Sequence, residues 1–301
     1  MSKELFNKLQ AVERLARARR WKRMLHRPMR YWSSLLWRDL IYSKTKKGKL
    51  RTASTFFDVS MQLLLPASMD IYLLGAKTHD SEIRLTRWLL RNLKVGDTFV
   101  DVGAHFGFFS LLASKLVGQN GKVVAFEAAP NTFKLLEKNT ATYSNLTIVH
   151  RAVSDQKGTM TFHEFPILYS EYNTLHPEQF QAERWFQEDL ARRVEVTSVR
   201  LDDYLSEHQV IPDCIKIDVE GAEEQVLKGL EQHLQKHQMT IITECTLLNI
   251  ERHLSMQSNL EKLQYFPFVI SADGNLEKVT RIEHYLRDKN LESDNFVFRK
   301  V

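Results

Sequence analysis

The stretch DTFVDVGAHFGFFS, residues 97–110, constrains the fold of this chain more than any other. A β-branched and apolar run surrounds Asp101, Gly103 follows directly, and a second apolar run starts after Gly107. Gly103 permits a sharp turn, and Gly107 permits close packing of a helix against a strand. The stretch therefore predicts a strand, a glycine turn and a helix, with backbone N–H groups beside a crevice at the carboxyl edge of a sheet.

A similar alternation of strands and helices continues along the chain. The predicted strands are FVDV, KVVAFE, LTIVHRAV, CIKID, MTIITE, FPFVIS and NFVFRK. The predicted helices are HDSEIRLTRWLLRNL (capped by Asp80 or Ser81), FFSLLASKLV, NTFKLLEKNTAT, AEEQVLKGLEQHL and LLNIERHLSMQSNLEKL. This order predicts an α/β fold with helices on both faces of a mostly parallel sheet. The turn SDQKG and the alternating run RVEVTSV predict a hairpin beside that sheet.

Charge separates the beginning of the chain from the rest. The first 50 residues hold 15 Lys and Arg against 3 Asp and Glu, whereas the remaining residues hold 27 against 34. We therefore predict a basic amphipathic N-terminal arm over residues 1–70 and a second, mildly acidic unit over residues 71–301.

The composition also limits the setting of the protein. Two cysteines are too few for a disulfide framework, which predicts a reducing, cytoplasmic environment. No run approaches the roughly 20 apolar residues that a membrane span needs, and no signal peptide is visible. We therefore expect a cytoplasmic protein that does not cross a membrane.

The glycine pattern distinguishes between nucleotide-type cofactors. A dinucleotide fingerprint begun at Gly103 needs glycines at positions 105 and 108, where this chain has His105 and Phe108. The missing second glycine disfavours a pyrophosphate cofactor such as NAD or FAD. S-adenosylmethionine has an adenosine but no pyrophosphate, and Glu127 ends the next strand, where a carboxylate can accept hydrogen bonds from both ribose hydroxyls. We therefore predict an S-adenosylmethionine site.

The stretch CIKIDVEGAEEQVLKGL, residues 214–230, is the most specific motif. Together with DVGAHFG, GKVVAFEAAP, AVSDQKG and VTSVRLDDYL, it makes residues 82–244 resemble the FkbM-type methyltransferase family. The resemblance implies a seven-stranded class I methyltransferase fold of the Rossmann-like kind and methyl transfer from S-adenosylmethionine. It also implies that Glu82 contacts the cofactor. Ala128 and Ala129 stand where the family usually has Glu-Pro-x-Pro, so we expect a different loop beside the ribose.

The predicted site combines cofactor-binding and catalytic residues. The cofactor-binding set is Glu82, Asp101, Gly103, Ala104, His105, Gly107, Glu127 and Ala128. An alcohol acceptor must lose its proton as the new bond forms, and the candidates to accept it are Asp218, Glu220 and Glu244, which lie at strand ends.

Several alternatives stay open for these acidic residues. Asp218 and the nearby Glu223 could instead be purely structural. Asp218 would then cap the helix that begins near Gly221, and Glu223 would complement the dipole of that helix. His105 is a second candidate base. The carboxylates Asp218, Glu220 and Glu244 also suit Mg²⁺, although no dedicated metal-ligand spacing is present.

Three classes of function follow. The favoured class is an O-methyltransferase that acts on a sugar, glycan or other small natural product, with an acceptor pocket shaped by residues 165–195, including Tyr169, Tyr172, Trp185 and Phe186. The second is a nucleic-acid or protein methyltransferase. Enzymes that methylate amino groups of nucleic acids usually have an N-P-P-Y or D-P-P-Y loop after the fourth strand, and the loop DVEG at that place disfavours a nucleic-acid acceptor. The third is a non-catalytic interaction protein on a methyltransferase scaffold. The oligomeric state, including a homo-oligomer, is left open.

The arm contains the segment WKRMLHRPMRYWSSLLWRDL, residues 21–40. An apolar side chain recurs every three or four residues, at Trp21, Leu25, Met29, Trp32, Leu36 and Leu40. A basic amphipathic helix with tryptophans is typical of an interfacial membrane segment, so residues 1–45 are predicted to contact the cytoplasmic membrane face. Packing of the stripe on the catalytic domain or on a second subunit is the main alternative, and RNA binding is a weaker one.

Overall fold

The computed structural model describes residues 2–183, 185–186 and 191–301. The amino-terminal part is helical and contains α1 (Ser2–Ala16), α2 (Arg20–His26), α3 (Pro28–Leu36), a π-helix (Trp37–Tyr42) and α4 (Ser43–Thr45). It is followed by the antiparallel pair β1 (Lys49–Ser54) and β2 (Ser60–Leu65), and then by α5 (Met69–Leu74). The β1–β2 pair has no counterpart among the predicted strands. The described helices include none that is long and apolar enough to cross a membrane.

The central sheet follows the predicted alternation of strands and helices. Its first half contains α6 (Asp80–Asn92), β3 (Thr98–Val102), α7 (Phe108–Val117), β4 (Lys122–Phe126), α8 (Pro130–Thr140) and β5 (Leu146–Val149). The middle contributes β6 (Ala152–Val153), β7 (Gly158–Glu164), β8 (Arg192–Val199) and α9 (Leu201–Glu207). The second half contains β9 (Cys214–Ile217), α10 (Glu223–Lys228), α11 (Glu231–Lys236), β10 (Thr240–Thr246), α12 (Ile250–Lys262), β11 (Tyr265–Ile270), β12 (Leu276–Lys278), α13 (Ile282–Asp288) and β13 (Ser293–Lys300).

The strand order in the central sheet is β12-β11-β13-β10-β9-β3-β4-β5. The pairs from β10 to β5 are parallel, whereas β13 runs antiparallel to both β10 and β11. The sheet has eight strands rather than the predicted seven, because the three-residue β12 pairs with the outer edge of β11. Strand order reverses between β3 and β9, and such a switch point opens a crevice at the carboxyl ends of the strands.

Two predicted elements are interrupted in the structure. The run LTIVHRAV forms two strands, because β5 pairs with β4 in the central sheet while β6 pairs with β8 in a separate three-stranded sheet. The helix predicted over AEEQVLKGLEQHL divides into α10 and α11 around Gly229. A Cβ at Gly229 would approach the Ser154 carbonyl oxygen to 2.3 Å, so a residue without a side chain is needed there.

The predicted hairpin is also more complex than its sequence suggests. The turn SDQKG joins β6 to β7, but these strands do not pair with each other. Strand β8 lies between them, parallel to β6 and antiparallel to β7. The predicted helix cap is wrong as well, since His79 is the N-cap of α6 and Asp80 is already helical.

The core lies on both faces of the central sheet because its strands are buried on both sides. Phe99 and Val123 belong to one hydrophobic cluster, whereas their chain neighbours Val100 and Val124 belong to the other. This alternation is the expected consequence of side chains pointing to opposite faces along a strand. The first cluster also contains Leu5 and Leu9 of α1 together with Met61 and Leu63 of β2. The division of the chain at residue 70 therefore stays a prediction based on charge, and apolar packing crosses that position.

Candidate functional site

A cavity of about 790 Å³ lies at the carboxyl ends of the central strands. Most of the predicted site residues line it, namely Glu82, Gly103, His105, Glu127, Ala128, Asp218, Glu220 and Glu244. Asp101, Ala104 and Gly107 are not among its lining residues. Ala104 instead borders a small adjacent cavity, and Gly107 is the N-cap of α7. The fold therefore brings the predicted cofactor and catalytic residues to one cavity.

Gly103 forms the sharp turn after β3. Its φ of +82° lies in the left-handed region, and a Cβ there would approach the carbonyl oxygen of Asp218 to 1.8 Å. Only glycine allows the turn and this close contact between the β3 and β9 ends. The backbone N–H groups of Gly103 and Ala104 both donate to the carbonyl oxygen of Phe126, so they stabilise the turn itself.

Glu127 lies at the end of β4 and is held by backbone donors. Its carboxylate accepts hydrogen bonds from the N–H groups of His105 and Ala129, each at 2.8 Å. Burial raises the pKa of Glu127 to about 7, even though these donors favour the charged form. The side chain is thus positioned by two loops and still lines the cavity.

Asp101 has a different environment from the one predicted. It is buried, and Ser110 Oγ donates to its Oδ2 at 2.5 Å. Lys216 Nζ lies 3.8 Å from its Oδ1, because Asp101 and Lys216 are register partners on β3 and β9. Lys216 also donates to Asp218 at 2.9 Å. Asp101 therefore does not line the cavity. Its carboxylate is a negatively charged neighbour of Lys216, which does line the cavity.

Asp218, Glu220 and Glu244 form an acidic cluster. Each contributes a carboxylate oxygen, and these oxygens lie within 4.8 Å of one another. Burial acts to raise the pKa of Asp218, but the ammonium groups of Lys216 and Lys77 outweigh it and hold that pKa below its ordinary value. Asp218 is therefore the member of the cluster that ionises most readily.

The pKa values of the other two carboxyl groups, Glu220 and Glu244, are raised rather than lowered. Burial and the carboxylates of Glu244 and Asp218 raise the pKa of Glu220 well above its ordinary value. Burial and the charge of Asp218 raise the pKa of Glu244 to about 7. Neighbouring like charges cannot all ionise easily, so the cluster holds a proton near neutral pH and releases it as a coupled unit.

The backbone of Glu220 is fixed by the surrounding loops. Its φ is +52°, and its carbonyl oxygen accepts hydrogen bonds from Thr174 Oγ1 at 2.6 Å and Gln179 Nε2 at 2.7 Å. A non-glycine residue in this conformation is uncommon and occurs often at functional sites. Glu223 is not among the lining residues, and its carboxylate accepts hydrogen bonds from the N–H groups of Val219 and Gly221. Glu223 therefore orders the loop that carries Glu220. This contact is a structural role, although it is made with loop N–H groups rather than with the helix dipole.

Sequence reasoning missed a cation in the cavity wall. Lys77 Nζ binds Glu82 at 2.6 Å and Glu171 at 3.1 Å. Burial favours neutral Lys77, but the charges of Glu171 and Glu82 outweigh it and raise its pKa. No motif surrounds Lys77 in the sequence. Lys216 was also missed, although a lysine inside the apolar strand CIKID is a visible signal of an unusual buried charge.

His105 connects the glycine turn to the opposite wall. Its Nε2 lies 3.0 Å from Ser170 Oγ, on a short 3-10 helix (Ile167–Tyr172) that borders the cavity. Burial lowers the pKa of His105 to about 4, so the ring is neutral and weakly basic at neutral pH. These contacts favour a positioning role for His105 over a role as general base.

The predicted acceptor segment forms an aromatic wall. Tyr172 and Trp185 line the cavity and stack at 5.1 Å between ring centroids, and Tyr169 stacks on Trp185 from outside at 4.5 Å. Phe186 packs edge-on against Trp185 and does not line the cavity. Residues 184 and 187–190 of the segment lie outside the described residues.

Sheet topology and cavity together define the class of protein. The mostly parallel central sheet, with helices on its faces, β13 reversed and the cavity at the switch point, has the architecture of class I methyltransferases. Residues 101–289 match the methyltransferase FkbM domain, which is more than half of the chain. The chain belongs to the FkbM methyltransferase family, and the resemblance noted in the sequence is confirmed.

Three curated relatives each match about half of the chain. Methyltransferase sdnD of Sordaria araneosa is 31% identical over 169 residues, covering 48% of this chain and 64% of that protein. The 31-O-demethyl-FK506 methyltransferase FkbM of Streptomyces tacrolimicus is 32% identical over 177 residues, covering 50% of this chain and 66% of that protein. Hexuronic acid methyltransferase AglP of Haloferax volcanii is 27% identical, covering 52% of this chain and 59% of that protein. The matches therefore span less than two thirds of each relative.

Proposed function

We propose that this protein is an S-adenosylmethionine-dependent O-methyltransferase that acts on a hydroxyl of a sugar, glycan or other small natural product. The observation that carries the proposal is the acidic cluster of Asp218, Glu220 and Glu244 in the same cavity as Glu127. Family membership supports methyl transfer. The names of two relatives, a 31-O-demethyl-FK506 methyltransferase and a hexuronic acid methyltransferase, support an oxygen or sugar acceptor.

The cavity residues fit S-adenosylmethionine. Glu127 presents a carboxylate oriented by two backbone donors, which suits the ribose hydroxyls, and Glu82 lies on the same wall paired with Lys77. The turn at Gly103 lines the cavity and lets the end of β3 approach the Asp218 backbone closely. When bound, S-adenosylmethionine supplies an electrophilic methyl group. Glu127, Glu82, Gly103, His105 and Ala128, which all line the cavity, would hold it.

The acidic cluster would accept the proton of the acceptor hydroxyl. Burial and mutual repulsion raise the pKa values of Glu220 and Glu244, which makes both carboxylates stronger bases than ordinary ones. Glu220 is the preferred base, because it lines the cavity and its backbone is fixed by Thr174 and Gln179. Asp218, held by Lys216 at 2.9 Å, would increase the basicity of Glu220 and Glu244 through its negative charge. The aromatic wall excludes water from the reacting groups.

A labelled-methyl transfer assay tests the proposal. Purified protein and S-adenosylmethionine with an isotope-labelled methyl group are incubated with hexuronic acids, neutral sugars, oligosaccharides and polyketide alcohols. We expect label in an oxygen-linked methyl ester or ether of one of these classes, and a loss of rate of about 10²- to 10⁴-fold in Glu220→Gln. The matched control is Glu251→Gln on the exposed surface of α12, which should retain the wild-type rate.

The same assay separates the alternatives. Label that enters RNA or protein instead would establish the second class of acceptor. Calorimetric binding of S-adenosylmethionine without transfer to any acceptor would support the non-catalytic scaffold. Loss of activity in excess chelator and its recovery with Mg²⁺ would replace the general-base role of Glu220 by metal binding at the acidic cluster.

A further inference from the structure

Helices α2 and α3 and the following π-helix expose an apolar stripe, which we call the outer face. It consists of Trp21, Leu25, Met29, Trp32, Leu36 and Leu40, and every one of these side chains is more than half exposed, from 51% at Trp32 to 86% at Met29. Half of the exposed large hydrophobic side chains among the described residues lie between Trp21 and Ile41. Concentration of so much exposed apolar surface in one segment is typical of a binding surface.

The opposite side of the same helices contacts the protein through polar groups. The guanidinium groups of Arg27 and Arg30 each donate to the carbonyl oxygen of Tyr72 at 3.4 Å. Arg30 also lies over the Tyr72 ring, 5.0 Å from its centroid. Helix α2 buries no residue, and α3 buries only Ser34 among its described residues. An amphipathic helix normally packs its apolar side inward, and here that orientation is reversed.

This orientation decides one alternative left open by the sequence. Packing of the stripe on the catalytic domain is wrong for Trp21, Leu25 and Met29, because those side chains face away from the body of this chain. Among the described residues of this chain, none covers the outer face.

The charge around the outer face indicates which occupant fits. Residues 19–30 contain six Lys and Arg and no Asp or Glu. Four of these cations, Arg19, Arg20, Lys22 and Arg23, are exposed beside Trp21. A second copy of the chain would bring two such cationic segments together, and RNA would leave the aliphatic side chains without apolar partners. An anionic lipid surface satisfies both the charges and the apolar side chains.

We propose that the outer face binds an anionic phospholipid bilayer. Trp21 and Trp32 would lie at headgroup depth, the aliphatic side chains at the boundary of the acyl chains, and the arginines at the lipid phosphates. The proposal goes beyond the proposed function and does not rest on it.

The same segment is connected to the cavity. The backbone N–H of Leu168 donates to the Tyr42 hydroxyl at 3.0 Å, at the end of the π-helix. Leu168 belongs to the 3-10 helix whose Ser170, Glu171 and Tyr172 line the cavity. A direct hydrogen bond therefore joins the end of the segment that carries the outer face to the 3-10 helix in the cavity wall.

Vesicle co-sedimentation of the full chain tests this proposal. Vesicles of phosphatidylcholine alone are compared with vesicles that also contain phosphatidylglycerol, at low and raised salt. We expect the wild-type protein to sediment with anionic vesicles, less with neutral ones, and less at raised salt because exposed charges are screened. The double variants Trp21→Ser/Trp32→Ser and Arg20→Glu/Arg23→Glu should each lower the partition coefficient by about tenfold or more.

Matched controls separate the outer face from general surface properties. Val95→Ser/Ile211→Ser removes two similarly exposed apolar side chains elsewhere, and Lys134→Glu/Lys138→Glu reverses two exposed cations on α8. Both controls should sediment like wild type, and circular dichroism should show that all variants are folded. Recovery of the wild-type protein in the supernatant with anionic vesicles overturns the proposal. The proposal is also overturned if the control variants and the outer-face variants lower sedimentation equally. A third contrary outcome is a dimer, seen by light scattering, that Trp21→Ser/Trp32→Ser dissociates while sedimentation with vesicles stays unchanged.

Discussion

Individual carboxylates in the cavity differ in role because their hydrogen-bond partners and neighbouring charges differ. Glu127 accepts two backbone N–H groups, Asp218 is paired with Lys216, and Glu220 and Glu244 face other carboxylates. The four side chains are chemically similar, yet the pKa of Asp218 is lowered whereas those of the three glutamates are raised. Environment, rather than residue type, separates cofactor binding from proton transfer.

Replacement of Glu127 tests the cofactor wall. Glu127→Gln should weaken S-adenosylmethionine binding about 10- to 100-fold, because hydrogen bonds to a charged acceptor contribute about 1.5–3 kcal/mol. Isothermal calorimetry measures the affinity. Glu164→Gln is the matched control, since Glu164 is also buried and accepts the backbone N–H of Asn131 at 3.0 Å but is not a lining residue. Unchanged affinity in Glu127→Gln would contradict the cofactor assignment.

The acidic cluster predicts a pH dependence with a definite sign. The proton acceptor must be ionised, so its raised pKa should move the acidic limb of kcat/KM above the pH range of an ordinary carboxylate, with activity rising as pH rises. Glu244→Gln removes a negative neighbour of Glu220, lowers the pKa of Glu220 and should move that limb to lower pH.

The pH profiles of wild type, Glu244→Gln and the surface variant Glu251→Gln provide the comparison. Glu251→Gln should match wild type. Complete inactivity of Glu244→Gln would identify Glu244 as the base, and a limb that does not move would show that Glu244 and Glu220 are not coupled.

At the scale of elements, the amino-terminal helices divide into two kinds. Helix α1 packs Leu5, Leu9 and Val12 into the main core and lies against α6 through ion pairs of Glu13 with Arg87 and Arg17 with Asp80. Helices α2 and α3 are held by arginine contacts and leave their apolar side chains exposed. Both parts are basic and amphipathic in sequence, so only the packing distinguishes them.

Matched leucine substitutions test this division. Leu9→Ala should lower the free energy of unfolding by about 2–5 kcal/mol, because it leaves a cavity in the core. Leu25→Ala, in the exposed stripe, should change it by no more than about 0.5 kcal/mol. Urea titrations followed by circular dichroism give both values. Similar effects of the two substitutions would contradict the different packing of α1 and α2.

For the whole molecule, the shared core predicts cooperative unfolding. Met61 and Leu63 of the β1–β2 pair pack in the same cluster as Leu89 of α6 and Phe99 of β3. Elements that share one core lose their packing together, so calorimetry should show a single transition whose calorimetric and van't Hoff enthalpies agree. A separate early transition that is absent after removal of residues 1–70 would instead support the domain division predicted from charge.

The sequence by itself determined the alternating α/β architecture and a set of site residues most of which line the cavity. Strand and helix periods are local properties, and the motifs around Gly103, Glu127 and Asp218 lie at strand ends, which parallel pairing brings to one edge. Glu220 and Glu244 were predictable for the same reason, since each lies at or just after a strand that ends at this edge.

Only the tertiary structure decided the contacts between segments that are far apart in the chain. It placed Asp101 beneath the cavity against Lys216, paired Lys77 with Glu171, and divided LTIVHRAV between two sheets. It also turned the apolar stripe of residues 21–40 outward while α1 packed inward. Periodicity shows that a helix has an apolar side, but which surface that side meets depends on the shape and charge of the remainder of the molecule.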